Sequence, residues 1–392
     1  MNDRLRKKAP GNIQYDKVIS CVFLFTLTSA IVWRLTHLQI TDYSVHLSSA
    51  VNLFSPGTTV EIDRLWHFCV WCVYKLLGSG DLDIHIACCF VSAAVTVIVY
   101  LITDGVLKSK VKNSAAVSLA LGITSAIFLP GYNPRIYYGQ GSPVTWHNPT
   151  NLMVKPFAIG VFFLVVRMIE HILRGEEPDR KEYAALCCFA AVSVLAKPSF
   201  FQGFVPALGI FILLRLIRDR FRTFKSYFRI CAMFIPAAAA VALQFVLSFY
   251  VGEGEGIGFG WLTVNASPNT VISLLLVLAF PLSYLLIYGK SAMKNVEIQL
   301  AWLFWLVSWL EKAILYEKGA HMYDSNFGWA SLLAYSLLYI VTAGEYFAEM
   351  QSGKNQRNRI IRNIPGAVFA LHLISGWIYA FEMLVGYNGY VY

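Results

Sequence analysis

Long apolar stretches follow one another along this chain, parted by short polar segments, and each is about as long as a helix that crosses a bilayer. They predict membrane helices near 17–39, 83–106, 113–130, 150–173, 182–196, 202–217, 228–250, 269–289, 296–315, 328–349 and 364–387. That is about eleven, within a range of ten to twelve. The stretch 40–82 breaks the rhythm. Its halves, TDYSVHLSSAVNLFSPG and TTVEIDRLWHFCVWCVYKLLGSG, are too short or too polar to span, and they read as two amphipathic helices at the membrane interface. Thr41 is placed to cap the first of them, with Asp42 in its first turn.

Composition supports the same picture. Of the 392 residues 57% are hydrophobic and 14% charged, against about 25% charged in soluble domains. The fold class expected is an all-α polytopic membrane protein forming one integral domain over 1–392. Its first helix reads as retained, since VISCVFLFTLTSAIVWRLTHLQI is long enough to span and no clear cleavage site follows it. The eight cysteines all fall in apolar runs, where a thiol is a small hydrophobe, and the C-x-x-C at 69–72 has no second pair with which to build a zinc site.

The net charge of +9 gains its meaning from its distribution. With the N-terminus cytoplasmic, a single threading puts about three quarters of the 32 lysines and arginines on the inner side, the positive-inside pattern. Topology and anionic lipid therefore account for the basic excess, and nucleic acid is not an expected partner. Against that rule, Arg34, Arg64, Lys75, Arg135, Lys155, Lys197, Lys312 and Lys318 fall at or near the outer face, with His37, His46, His67, His85, His147 and His321. Reactive side chains thus gather outside, and the inner loops carry no phosphate-binding motif.

Four outer segments hold the candidate chemistry. Asp42 and His46 share a helical face, which suits either a general base beside a positioned imidazole or a carboxylate that only favours its helix N-terminus. In SPVTWHNPTNLMVKPF, 142–157, Asn148 can cap, Pro149 suits the first helical position, and Asn148, Asn151 and Lys155 recur on one face. Backbone N–H groups with an ammonium make an anion site there, the plainer alternative being a polar cap with a snorkelling lysine. VLAKPSFF, 194–201, adds Lys197, and LYEKGAHMYDSNFGW, 315–329, adds His321, Asp324 and Asn326. GEGEGIGFG, 252–260, lacks the Lys-Ser/Thr ending of a phosphate cradle and reads as a mobile outer loop within 251–268; DLD at 81–83 reads as a helix cap.

The order of these pieces resembles the polytopic glycosyltransferases of the GT-C superfamily, of the bacterial surface-polysaccharide type. The resemblance rests on TDYSVHLSSAVNL as the acidic first-loop motif and on WHNPTNLMVKPF, LAKPSF and DSNFGW. It implies a first extracytoplasmic loop at 40–82, central helices of a catalytic module at 83–250 and C-terminal helices at 269–392. It also implies transfer of a sugar from a polyprenyl-phosphate donor to a hydroxyl of a glycan or lipid-linked acceptor, with inversion, at the outer face of a bacterial inner membrane. Asp42 would be the base, with His46 beside it. Lys155, Lys197, Arg135, Arg64, His147, Asn148, Asn151, His321 and Asn326 would bind the donor phosphate and substrate. The residues establish no cofactor and no metal ligand set; because Asp42 stands alone where some members carry paired acids, a divalent cation is left open.

Two rivals remain. A lipid-linked oligosaccharide polymerase or ligase would share the chemistry but place its key residues in one large late loop. A lipid-glycan transporter or flippase would show a repeat and mid-membrane charges, whereas Asp104, Glu345 and Glu382 lie towards helix ends.

Overall fold

The computed structural model describes residues 15–38, 41–55, 62–130, 141–247, 256–264, 269–319, 322–323, 325–352 and 358–385. The helices run α1 (Tyr15–Thr36), α2 (Asp42–Val51), α3 (Leu65–Leu77), α4 (Asp81–Leu107), α5 (Ser114–Leu121), α6 (Pro149–Leu173), α7 (Arg180–Ala196), α8 (Ser199–Asp219), α9 (Phe224–Ala232), α10 (Ile235–Val246), α11 (Thr270–Ala292), α12 (Val296–Ile314), α13 (Trp329–Ser352) and α14 (Arg359–Val385). A small antiparallel pair, β1 (Ile257–Phe259) with β2 (Leu315–Glu317), joins the glycine-rich segment to the end of α12.

Seven helices are long and apolar enough to cross a membrane, and the bent pair α9–α10 makes an eighth if it counts as one span. Burial sorts them. In α6 and α13, 72% and 83% of the apolar window is buried, against 33% in α1 and α11 and 39% in α14. A helix covered all round belongs at the centre of a bundle, and α13 buries the small residues Ala330, Ser331, Ala334, Ala343 and Gly344.

Four of the eleven expected spans fall outside those seven: 182–196 and 296–315 form the helices α7 and α12, and two others depart in shape. The run 228–250 is broken: α9 stops at Ala232 and α10 leaves it at 46°. Pro236 accounts for the break, since it has no N–H and its ring crowds the carbonyl four residues back. The run 113–130 is corrected more deeply, because only Ser114–Leu121 is helical. Residues 123–129 continue as non-helical chain between α11 and α14. Their backbone N–H groups find partners there: Ser125 donates to the His372 carbonyl at 3.1 Å, Ile127 to the Leu276 carbonyl at 3.0 Å and Phe128 to Ser375 Oγ at 3.0 Å. Non-helical backbone at membrane depth survives only when protein satisfies it in this way.

The neighbouring helices are shaped for that segment. Pro281 interrupts α11, and the Val277 carbonyl takes a hydrogen bond from Tyr339 Oη at 2.6 Å. Phe280 donates its N–H to His372 Nε2 at 3.3 Å, while His372 Nδ1 donates to the Ser125 carbonyl at 2.7 Å, a pattern that sets the tautomer. Gly376 lets the segment lie flat on α14, since a Cβ there would sit 1.7 Å from the Ile123 carbonyl oxygen.

The stretch 40–82 does hold two short helices. Thr41 caps α2 by accepting from the Ser44 N–H, and its own hydroxyl donates to the Leu35 carbonyl at the end of α1, 2.9 Å away. Tyr43 Oη and Trp66 Nε1 both donate to Ser92 Oγ, at 3.1 and 3.3 Å, which seats α2 and α3 together on α4. Asp83 closes the start of α4 by accepting the Gly80 N–H at 2.8 Å, as a capping residue should.

Candidate active site

Asn148 organises the polar cluster. As the N-cap of α6 its Oδ1 accepts the Asn151 N–H at 2.7 Å and the Thr150 hydroxyl at 3.0 Å. Its Nδ2 donates to Asp42 Oδ2 at 2.7 Å, tying the first turn of α2 to the first turn of α6 across 106 residues of chain. Lys197, in the connector between α7 and α8, donates to Thr150 Oγ1 at 2.9 Å and to Asn148 Oδ1 at 3.4 Å. One amide therefore holds a carboxylate at its nitrogen and an ammonium at its oxygen.

The ammonium also lies over the Trp329 ring, 4.4 Å from the centroid. Burial lowers the Lys197 pKa to about 8, opposed by the negative charges of Asp42 and Asp63. Its bonded partners are an amide oxygen, a hydroxyl and a ring face, and the carboxylates of Asp42 and Asp63 act on its charge without a direct bond to it.

The histidines surround the cluster as neutral rings. His46 Nδ1 lies 2.9 Å from His67 Nε2, one ring donating and the other accepting. Burial brings His46 down to about 4 and His67 to about 3. Lys197 and Arg64 push both further, the two imidazoles oppose each other at His67, and Asp42 partly offsets the fall at His46. Although Asp42 and His46 share α2, His46 turns to His67, and Asn148 binds Asp42. His147 Nδ1 lies 3.2 Å from Tyr379 Oη, with its ring against Trp329, and burial lowers its pKa to about 4.

Asn151 is a strut. It is fully buried, accepts the Thr145 hydroxyl at 3.0 Å and donates to the Trp329 carbonyl at 3.4 Å, fastening segment 141–148 to α6 and α13. Gly141 opens that segment at φ +79°, where a Cβ would also press on Leu332 and Tyr335 at 2.9 Å. Lys155, two turns along α6, does not join Lys197; its Nζ donates to the Pro143 carbonyl at 2.9 Å. Asn326 is exposed and donates to Glu317 Oε2 at 2.8 Å, beside β2. Arg64, which precedes α3, acts on the His46 and His67 rings. Arg135, His321 and Asp324 lie outside the described residues. Thr150, Trp329 and Tyr379 are members that sequence reasoning did not place in the site.

Among the described residues no group of three or more His, Cys, Asp or Glu could hold a metal ion. Chemically the cluster offers a carboxylate that can take a proton, a cation that can meet an anion, and neutral rings that can only donate or accept hydrogen bonds.

No family model matches the chain, and no curated relative matches it in sequence. Among solved structures it is similar to ArnT from Cupriavidus metallidurans, crystallised bound to undecaprenyl phosphate, with a TM-score of 0.50 over 97% of this chain and 77% of that one. At 13% identity the likeness is one of fold. The chain is an integral membrane protein whose fold is similar to that of ArnT.

Proposed function

We propose that this protein is a membrane glycosyltransferase of the hexosyltransferase class, moving a sugar from a polyprenyl-phosphate donor to an acceptor hydroxyl during cell-surface glycan or polysaccharide assembly. The observation that carries the reading is the Asn148 amide between Asp42 and Lys197. A sugar phosphate needs both groups at a set separation: a base for the nucleophile and a cation for the leaving group. The solved neighbour's undecaprenyl phosphate supports a donor on a polyprenyl carrier.

Asp42 takes the proton of the acceptor hydroxyl as its oxygen attacks the anomeric carbon. The bond from that carbon to the phosphate oxygen breaks on the opposite face, inverting the centre. The lipid phosphate leaves with its added negative charge against Lys197, with Arg64 beside it. His46 and His147, held neutral, offer hydrogen bonds to sugar hydroxyls without competing for the phosphate. Asn148 keeps base and cation apart, which stops them from collapsing into an ion pair that would disable both.

The threading that goes with this reading has eleven crossings, counting α5 with 123–129 as one and α9 with α10 as another. It puts α2, α3 and the Asp42 cluster at the outer face of a bacterial inner membrane and the bulk of the basic residues inside. The test is sugar transfer from a set of polyprenyl-phosphate sugars by the purified protein in nanodiscs. Transfer by the wild type that is lost in Asp42→Asn, with donor binding retained, is the expected result. Wild-type protein that binds none of these donors would refute the reading.

A further inference from the structure

The transfer reaction gives no part to His67 of α3, although this ring is 4% exposed and stands beside the Asp42 cluster. Its neighbour Trp66 donates to Ser92 Oγ, and so does Tyr43 of α2, so one hydroxyl sets where the two short helices stand against each other. That seating brings His67 Nε2 to 2.9 Å from His46 Nδ1. The other nitrogen of His67, Nδ1, is buried and has no hydrogen-bond partner among the described residues. Of the His46 ring only Nδ1 is hydrogen-bonded among the described residues, and Lys197 and Asp42 act on the ring from nearby.

Both rings are held neutral by burial and by the cations around them. A neutral imidazole carries one N–H and one lone pair, so two arrangements fit the contact. If His46 Nδ1 donates, His67 accepts at Nε2 and must carry its own proton on Nδ1, where a buried N–H would face no acceptor. If His67 Nε2 donates, its Nδ1 holds only a lone pair, and the proton of His46 sits on Nε2. A buried N–H without an acceptor is the rarer and costlier fault, so the second arrangement is the stable one. The hydrogen bond made at one ring nitrogen thereby decides what the other can do.

We propose that His67 is a positioning residue: by donating from Nε2 it holds His46 in the Nε2–H form, so that His46 presents a fixed hydrogen-bond donor to a sugar oxygen and has no lone pair left with which to act as a base. This deepens the transfer reaction proposed above and rests on it for the identity of that oxygen. The tautomer does not depend on the reaction, so the two fail separately.

The test is nitrogen NMR at neutral pH on the full chain in nanodiscs, labelled with 15N-histidine, the two rings being assigned by the signals lost in His46→Asn and His67→Gln. A protonated Nε2 and a bare Nδ1 are expected on both rings. A proton on His46 Nδ1 would overturn the proposal. His67→Leu should leave His46 as a mixture of the two forms, whereas His67→Gln, whose amide N–H can replace the imidazole donor, should keep the single form. A His46 signal unchanged in His67→Leu would also overturn it. Kinetics add a readout that a merely structural role would not give. His67→Leu should lower kcat/KM about three- to tenfold, with most of the loss restored in His67→Gln, and should cost nothing further in a protein already carrying His46→Ala. An equal loss on that background would mean that His67 does not act through His46. If His67→Leu does not fold, the wild-type and His67→Gln spectra decide. If the wild type transfers no sugar, the transfer reaction is refuted and the tautomer still decides the role of His67.

Discussion

The two ends of the helix bundle treat their charges differently. At the end where α1 begins and α4 finishes, cations meet carboxylates. Lys17 pairs with Asp104, Lys110 with Glu297 at 2.6 Å and Glu345 at 2.7 Å, Arg167 with Glu182 at 2.7 Å and Arg229 with Glu177 at 2.9 Å. At the end that carries α2 and α3, Lys197 meets a hydroxyl, an amide oxygen and a ring face, and Lys155, deeper in α6, meets a backbone carbonyl. A cation paired with a carboxylate has its field cancelled and serves to join helices. A cation bonded to dipoles, with carboxylates near it but not in contact, keeps more of its charge. The first arrangement suits assembly, and the second suits the donor binding proposed above.

Substitutions at the two ends should therefore separate activity from stability. The largest effect is expected from Asp42→Asn, which removes the proposed base and should lower transfer about 10²- to 10⁴-fold with little change in melting temperature. If Asp42→Asn unfolded the protein instead, the contrast would collapse. Next is Lys197→Ala, expected to weaken donor binding about ten- to hundredfold in a titration of the donor lipid, while Lys197→Arg keeps most of it. The same lysine gives a pH signature. With its pKa lowered to about 8, wild-type donor binding should fall as pH rises through that value, and the Arg variant should not follow. The unfolded chain keeps this proton to higher pH, so protein stability rises over the range in which binding falls.

At the opposite end the expectation reverses. Lys110→Met leaves Glu297 and Glu345 together without their cation, and should cost about 1–3 kcal/mol in a denaturation measurement, the partial exposure of the triad being allowed for. Transfer per folded molecule should be unchanged. The smallest effect concerns His46. Its folded pKa of about 4 lies below the ordinary 6.5, so the unfolded chain binds more protons between those values, and stability rises with pH across that window. His46→Asn should make that slope shallower in melting curves taken from pH 4 to 7.

Local signals in the sequence carried much of this. Apolar run length marked α1, α4, α6, α8, α11, α13 and α14 to within a few residues, and the Thr41 and Asn148 caps were readable from residue type and position. The run 113–130 misled because an apolar stretch looks the same whether it coils as a helix in lipid or lies extended among other helices. What distinguishes the two is Gly376, Pro281 and His372, well over a hundred residues away. The site was legible as a set of polar outer residues but not as a geometry. That Asp42 binds Asn148 while His46 binds His67 depends on how α2 and α3 seat on Ser92, a packing outcome with no local signature. Lys155 and Lys197 looked alike in sequence, and only side-chain direction sends them to different partners.

The chain at 123–129 sets a constraint on biogenesis. Its N–H groups depend on Leu276, His372 and Ser375, which are synthesised long after it. Until α11 and α14 are in place, this stretch has no way to rest in its final form within hydrocarbon. The N-terminal half must therefore wait, in water, in the insertion machinery or as a provisional helix, for the C-terminal half to claim it. A ribosome stalled before residue 372 would leave a protein whose first half is made but not finished.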